Sequence, residues 1–247
     1  MAGHADPWFE LKVAAHRLRR FVSWGLHWRG FANGRAPAAD FPCLLFRHES
    51  RLVREGEPME RGKRHNVALA LPRFDGLVQH PGQLLSFCRL LGPITYRRGF
   101  VDGWELFGDR LGPGVGGGLC ALANMIHWLA LNTGMAVPER HRHPYDLFPD
   151  QERTVPFGVG VTIYYNYVDL QVRHALPGPV RWHLCLEGDT LVGEVWATQP
   201  LAAPVQVWET DHRFELDHDG RWRANRLWRR SGDAVELLAE NRCRCLY

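Results

Sequence analysis

The chain has 247 residues, enough for one large domain or two small ones with a buried core. Apolar residues make up 45% and charged residues 23% of the sequence, the usual balance of a soluble globular protein. The formal net charge is only +3, which is not the charge signature of a nucleic-acid-binding protein, and we expect no nucleic-acid partner.

The N-terminal segment, residues 1–36, is more basic than the rest, with six Lys or Arg residues against two acids. Within residues 8–28 the apolar residues at helical spacing are Leu11, Ala14, Ala15, Leu18 and Val22. The residues that lie largely off this stripe are Lys12, His16, Arg19 and Arg20. Such a helix could lie on an anionic membrane surface, but we favour packing on its own domain. The sequence therefore predicts a basic amphipathic segment 1–36 and a single domain 37–247 with its core at about 79–197.

The first residues lack the apolar stretch and small-residue cleavage site of a secretory signal peptide. The six cysteines show no spacing typical of a disulfide framework. We therefore expect a cytoplasmic protein with reduced thiols, in peripheral contact with a membrane only if the N-terminal helix touches lipid.

Residues 112–134 read "GPGVGGGLCALANMIHWLALNTG", in which the glycine triplet Gly116, Gly117 and Gly118 precedes Cys120. The uncharged run 114–138 is long enough to span a bilayer, but it begins in glycines and contains Asn124 and other polar side chains. Polar groups are costly in hydrocarbon, so the run predicts a buried core helix that ends near Gly134.

After this helix the pattern becomes typical of strands. The segment "VGVTIYYNYVDLQV" is rich in β-branched and aromatic residues, which predicts strand structure. Two segments predict hairpins, "VRWHLCLEGDTLVGEVWAT" turning at Gly188-Asp189 and "HRFELDHDGRWRANRLWRR" turning at Asp219-Gly220. Helices and strands do not alternate regularly, so we expect a single α+β domain in which a Cys-bearing buried helix precedes a mainly antiparallel sheet.

Cys120 is predicted at a helix N-terminus, where the helix dipole and unpaired N–H groups stabilise a thiolate. The amides of Gly116 to Gly118 could donate hydrogen bonds to a developing oxyanion, because glycines allow a substrate to approach the backbone closely. Asn124, one turn further on, is a candidate for substrate contact. His127 shares this face, but seven residues of helix separate it from Cys120 by about 10 Å, so we expect a polar core residue.

The stretch "PERHRHPYDLFPD" supplies better candidates for a general base. If it is extended, the side chains that project to one face are those of Glu139, His141 and His143. Arg140, on the other face, is a candidate for substrate binding. A histidine with a carboxylate neighbour would complete a Cys–His pair, and Asp169 is a second candidate for orienting the imidazole.

Two other interpretations of these residues stay open. Alternating carboxylate and imidazole side chains could bind zinc together with the Cys120 thiolate, although nothing else in the chain completes a recognised zinc spacing. Alternatively, the glycine turn, the thiol and the histidines serve only the packing of the core. The acyl-transfer interpretation needs neither a metal nor a cofactor.

The stretch "GPGVGGGLCALANMIHWLALNTGMAVPERHRHPYDLFPD" resembles the hallmark of the VanW family: a glycine triplet, one residue, cysteine, a helix, a glycine and Glu-Arg-His-x-His. The similarity continues upstream through "HESRLVR" and "HNVALAL" and downstream through "LVGEVW" and "AENRCRCLY", so it covers roughly residues 40–247. The chain is similar to the short, stand-alone form of the family.

The resemblance implies a link to glycopeptide resistance and the bacterial cell wall. Some longer proteins with a VanW domain act as L,D-transpeptidases that cross-link peptidoglycan stem peptides through a cysteine acyl-enzyme. Carried over, this role falls on Cys120 as nucleophile and on His141 or His143 as base, of which we prefer His143. A cytoplasmic protein would meet soluble or lipid-linked precursors as its partners.

The chain departs from the family pattern at two positions. Ala121 stands where the family usually has Gln, and Ala123 stands where members often have Ser or Thr. If those polar groups orient the nucleophile or the substrate, their loss favours a second hypothesis: a non-catalytic accessory protein that binds a cell-wall precursor or a resistance partner.

Overall fold

The fold is described from a computed structural model, which covers residues 7–52, 58–107, 110–143, 145–146 and 154–247. The α-helices formed by these residues are α1 (Pro7–Leu26), α2 (Pro58–Ala70), α3 (Phe87–Leu91) and α4 (Leu119–Asn132). Short 3-10 helices occur at Trp28–Gly30, Ala38–Asp40, Leu71–Arg73 and Tyr96–Arg98.

The strands before α4 are β1 (Gly34–Arg35), β2 (Cys43–Arg51), β3 (Leu77–Gln79), β4 (Leu84–Ser86), β5 (Asp102–Phe107) and β6 (Arg110–Val115). The short strands after α4 are β7 (Ala136–Glu139), β8 (Tyr145–Asp146) and β9 (Gln171–Arg173). The long strands that follow are β10 (Val180–Glu187), β11 (Thr190–Ala197), β12 (Val205–Asp217), β13 (Gly220–Ser231) and β14 (Ala234–Cys245).

Two larger sheets organise these strands. One has the order β1-β3-β10-β11-β2 with every pairing antiparallel. The other has the order β12-β13-β14-β8, in which only the short β14–β8 pairing is parallel. Strands β4, β9 and β7 form a small third sheet, and β5 pairs with β6. Both predicted hairpins are confirmed, as β10–β11 and β12–β13.

Helix α4 lies in the centre of the hydrophobic core. Leu122, Ile126 and Leu129 are fully buried on it and pack in one cluster with side chains of β10 and β11, among them Trp182 and Val195. A helix that is apolar on all sides requires such enclosure, which accounts for the uncharged run in the sequence. The predicted α+β domain with a buried Cys-bearing helix and mainly antiparallel sheets is confirmed. None of the helices in the described ranges is long and apolar enough to cross a bilayer.

One strand prediction is wrong over most of its length. Within "VGVTIYYNYVDLQV" only Gln171 and Val172 belong to a strand, β9, and residues 159–170 are irregular. The apolar side chains there, such as Val159 and Val161, are buried without a ladder partner, and Asn166 turns the chain with φ of 57°. Backbone groups find partners outside a sheet instead: the N–H of Thr162 donates to the carbonyl of His141 at 2.7 Å.

Helix α1 packs on the body of the protein, and the face that makes this contact lies opposite its apolar stripe. Val13 is buried and Arg17, Arg20 and Trp24 are half-buried, whereas the leucine-rich stripe faces outward. At this contact, arginine side chains that form ion pairs are buried in place of the apolar stripe. The division of the chain at residues 36 and 37 stays a prediction.

Candidate functional site

Cys120 is the second residue of α4 and is half-buried, with Gly118 at the helix N-cap. Burial raises the pKa of its thiol above the ordinary value. A hydrogen bond with the backbone of Ile163 opposes this shift, and the negative charge of Glu105 on β5 adds to it. The position at a helix N-terminus is as predicted, but the thiol is held in its neutral form at pH 7.

The predicted bases do not lie against this thiol. In the part of the chain that is described, no histidine is among the groups that shift the pKa of Cys120, and neither His141 nor His143 hydrogen-bonds to its sulfur. Activation of cysteine needs an adjacent imidazole, and the pairing of Cys120 with His141 or His143 stays a prediction.

The glycine turn before α4 is occupied with its own backbone hydrogen bonds. The N–H of Gly116 donates to the carbonyl of Val101 at 2.9 Å, and that of Gly117 donates to the carbonyl of Gly114 at 3.0 Å. Two of the three amides predicted to stabilise an oxyanion are thus engaged inside the protein. A Cβ on Gly117 would overlap the backbone of Gly103, so this glycine permits a close approach of two segments.

Asn66 of α2, which the sequence did not single out, locks this turn in place. Its Nδ2 donates to the carbonyls of Val101 and Gly117 at 2.9 and 3.0 Å, and its Oδ1 accepts from the N–H of Val101 at 2.9 Å. The side chain is fully buried, so each of these hydrogen bonds satisfies a polar group that water cannot reach.

Glu139, at the end of β7, is paired with the N-terminal helix. Both Nη atoms of Arg20 donate to its carboxylate, at 2.8 and 2.7 Å, and the N–H of Asp169 donates to it at 3.1 Å. Burial acts to raise the pKa of Glu139, but the hydrogen bonds and charge of Arg20 outweigh it and lower the pKa. His141 is exposed, with Nε2 3.5 Å from the same carboxylate, so the predicted Glu139–His141 neighbourhood exists at the surface.

Asp169 is fully buried on the other side of the same arginine. Its Oδ2 accepts from the hydroxyl of Ser86 at 2.6 Å and lies 3.6 Å from Arg20 Nη1, and its Oδ1 accepts from the N–H of Cys88 at 2.8 Å. Burial nevertheless raises the pKa of Asp169. The structure thus brings Glu139 and Asp169 together through Arg20, and Asp169 caps the start of α3 with its carboxylate.

His127 and Asn124 fasten α4 to the irregular segment that follows β8. His127 Nδ1 lies 2.8 Å from the carbonyl of Val159, and burial, reinforced by the charge of Arg140, lowers the pKa of His127 to about 3. The neutral ring therefore donates from Nδ1, and His127 is the polar core residue that the spacing predicted. Asn124 Oδ1 accepts from the N–H of Val161 at 2.7 Å.

A groove of about 590 Å³ lies between β7 and β14, and the sequence did not reveal it. Arg140 and Arg142 line it from one side. Burial and the charge of Arg142 lower the pKa of Arg140 to about 10, so it stays protonated at neutral pH. Arg140 donates to the carbonyl of Gly158 and Arg142 to Asn241 Oδ1, but among the described carboxylates none forms an ion pair with either arginine. The lining also includes Glu236 and Glu240, but these carboxylates pair with Arg229 and Arg226. Arg140 and Arg142 are therefore two close positive charges without an ion-pair partner among the described residues.

The zinc interpretation finds no matching geometry. Among the described residues, the only group of three or more side chains that could converge on a metal ion is Asp217, His218 and Asp219, in the exposed turn of the β12–β13 hairpin. Cys120, Glu139, His141 and His143 do not converge in this way.

Comparison with known proteins identifies a family and a relative for this chain. The family described as "VanW like protein" matches residues 62–196. The "Vancomycin B-type resistance protein VanW" of Enterococcus faecalis (strain ATCC 700802 / V583) is 24% identical over 217 residues, which cover 83% of this chain and 79% of that protein. No solved structure matches the chain.

Proposed function

The chain belongs to the VanW family, and on that premise we propose that it is a non-catalytic accessory protein of glycopeptide resistance that binds a carboxylate-bearing peptide of the peptidoglycan stem-peptide class. The link to resistance comes from the name of the Enterococcus relative. The observation that carries the binding proposal is the groove between β7 and β14, where Arg140 and Arg142 pair with no described carboxylate.

The charge of the groove suits an anionic ligand. Two guanidinium groups close enough to lower the pKa of Arg140 repel one another, and a carboxylate between them would relieve this repulsion. Arginine also presents paired donors that match the two oxygens of a carboxylate. Stem peptides carry free carboxylates, so they fulfil the requirement in a way that a neutral peptide does not.

The walls of the groove suit an extended chain. Strand β7 pairs with β9 alone, and β14 pairs along most of its length with β13 alone, so within the described sheets each has an edge without a partner strand. A peptide lying between two such edges can add main-chain hydrogen bonds, as in other proteins that bind a peptide as an additional strand. Backbone contacts and the arginine pair together would select an extended, acidic peptide.

Calorimetric titration of a synthetic stem pentapeptide tests this proposal. We expect binding by the wild type and a loss of roughly tenfold or more in affinity for Arg142→Gln, because a hydrogen bond to a charged group contributes about 1.5–3 kcal/mol. Arg51→Gln, at an exposed position on β2 outside the groove, is the matched control and should bind as the wild type does. The C-terminally amidated peptide should bind more weakly.

Equal affinity of the wild type and the Arg140→Gln and Arg142→Gln variants would contradict the proposed groove. An absence of binding by the wild type would contradict the peptide-binding function itself. Since Arg140 also donates to the carbonyl of Gly158, thermal unfolding of both variants should accompany the titrations.

Cysteine-dependent acyl transfer on the same class of peptides is the second candidate. The observation in its favour is the half-buried thiol of Cys120 in the first turn of α4, where the helix dipole favours a thiolate. In that mechanism Cys120 would attack a carbonyl, amides of Gly116 to Gly118 would stabilise the oxyanion, and His143 or His141 would carry the proton. The raised pKa of the thiol and the engaged glycine amides weigh against it.

A further inference from the structure

Helix α1 presents its apolar side to solvent. Its contact with the protein body uses Val13, Arg17, Arg20 and Trp24, which recur at intervals of four, three and four residues and so form one stripe. Arg20 pairs with Glu139, and Arg17 Nε donates to the carbonyl of Tyr165 at 3.1 Å. Polar contacts of this stripe therefore hold the helix in place.

The opposite face of α1, here called the outward face, consists of Leu11, Leu18, Val22 and Leu26. Leu11, Leu18 and Leu26 are 60%, 66% and 74% exposed. Trp28, in the 3-10 helix that follows, is exposed as well. Large apolar side chains gathered on one exposed helix face mark an interaction surface, whereas isolated ones need no explanation.

Basic side chains border the outward face. Lys12 and Arg19 are exposed beside it, each directly after a leucine of this face, and Arg29 follows in the next element. Glu10 is the single acid among residues 7–26. An apolar face flanked by Lys and Arg and by tryptophan is the pattern of helices that lie in the interface of an anionic membrane.

A groove of about 550 Å³ runs along the inner side of α1, between the helix and β4 and β9. The basic or titratable side chains that line it are His16, Arg19, Arg20, His27 and Arg173, and no described Asp or Glu is among its lining residues. Arg19 and Arg173 form no ion pair with any carboxylate in the described ranges. The groove is therefore suited to a negatively charged group.

Two buried donors in this groove have no acceptor. Arg20 Nε and the indole Nε1 of Trp24 make no hydrogen bond with any described residue, and both residues line the groove. The side chain of Arg20 is only 10% exposed, so an unused donor there is costly unless a ligand supplies an oxygen. A phosphate group offers several such oxygens.

We propose that α1 attaches the protein to an anionic phospholipid bilayer, with the outward face in the headgroup region and a lipid phosphodiester in the groove, which adjoins the outward face at Arg19. The helix then lies in the plane of the membrane, because no helix in the described part is suited to span it. Hydrophobic burial and attraction to anionic lipid act together in such binding. This inference is independent of the peptide groove between β7 and β14.

Charge favours lipid over a second copy of the chain on this face. Two copies packed through their outward faces would bring Lys12 and Arg19 of one close to the same residues of the other, and like charges at an interface oppose association. An anionic bilayer presents the opposite charge to the same residues.

Co-sedimentation with vesicles tests the proposal on the full chain. We expect binding to vesicles of phosphatidylglycerol and phosphatidylcholine in equal amounts, and little binding to phosphatidylcholine alone. Replacing both Leu11 and Leu18 by Gln should reduce the bound fraction roughly tenfold or more, since two exposed leucines lose their burial in lipid. Leu216→Gln is the matched control: this leucine is 85% exposed on β12 and should not affect binding.

The groove has its own test. Arg173→Gln should weaken binding to the anionic vesicles while the residual binding to phosphatidylcholine stays as in the wild type, because Arg173 contributes charge and not apolar area. Equal binding of the wild type and the Leu11 and Leu18 double variant would overturn the proposal. So would a stable dimer in sedimentation experiments without lipid that the double variant abolishes, since the outward face would then serve self-association. Thermal stabilisation by inorganic phosphate without any vesicle binding would overturn it in favour of a soluble anion.

Discussion

Arg20 of α1 donates two hydrogen bonds to the carboxylate of Glu139, at 2.8 and 2.7 Å, although 119 residues separate the two along the chain. The same guanidinium lies 3.6 Å from the buried carboxylate of Asp169. The two carboxylates that the sequence offered as orienting groups for a catalytic histidine are therefore the docking site of the N-terminal helix. Their charge is balanced by arginine, whichever function His141 and His143 serve.

Arg20→Gln should lower the free energy of unfolding by about 3 kcal/mol, because it leaves one fully buried and one half-buried carboxylate without a counterion. Urea denaturation at pH 7 measures this. Arg19→Gln, next to it on the exposed side, should change stability by less than about 0.5 kcal/mol. Equal stability of the two variants would mean that α1 is not held through Arg20.

Asn66→Ala should destabilise the protein by about 2–4 kcal/mol, since the buried carbonyl of Gly117 and the half-buried N–H of Val101 lose their hydrogen-bond partner together. Asn33→Ala, at an exposed position, provides the comparison and should be nearly neutral. The denaturant concentrations at which the two variants are half unfolded measure this difference in stability. A small effect of Asn66→Ala would show that water or a shift of the backbone supplies hydrogen bonds to the polar groups of the glycine turn in place of Asn66.

The alkylation of Cys120 should reveal a thiol that titrates above the ordinary value of about 8.5. The rate is measured against pH in a protein whose other five cysteines are replaced. His141→Ala and His143→Ala should leave the profile unchanged, whereas Glu105→Gln should lower the pKa of Cys120 because it removes a nearby negative charge. A depressed pKa that rises when one histidine is removed would instead establish a Cys–His pair and restore the acyl-transfer mechanism.

His127 should make the folded state sensitive to mild acid. Its folded pKa of about 3 lies below the value of about 6.5 in the unfolded chain, so the unfolded state takes up a proton first as the pH falls. The contribution to stability is present above pH 6.5 and is lost on acidification, amounting to about 2 kcal/mol between pH 7 and pH 5. His127→Gln should remove this component, so the free energy of unfolding of the variant should fall less steeply over that range. Parallel pH profiles of the two proteins would contradict a buried, neutral His127.

The sequence predicted only part of the surface around α1. The basic composition of residues 1–36 and the stripe of leucines were both visible, and they suggested a helix with a polar and an apolar side. The face that packs inward is the one that carries Arg20, because Glu139 and Asp169, far along the chain, offer this arginine a buried ion pair. Periodicity identifies the faces of a helix but does not say which face meets the protein.

The sequence by itself determined the features whose signal is local. The uncharged run after Cys120 predicted the buried helix α4, the turn residues predicted the hairpins β10–β11 and β12–β13, and the glycine-cysteine-histidine pattern identified the VanW family. Only the tertiary structure decided the surroundings of each candidate residue. These features are the neutral thiol of Cys120, the hydrogen bonds that occupy the glycine amides, the arginine pair in its groove and the irregular path of residues 159–170. The reason is that desolvation, ion pairing and hydrogen bonding at these sites come from segments distant in sequence, which no local pattern encodes.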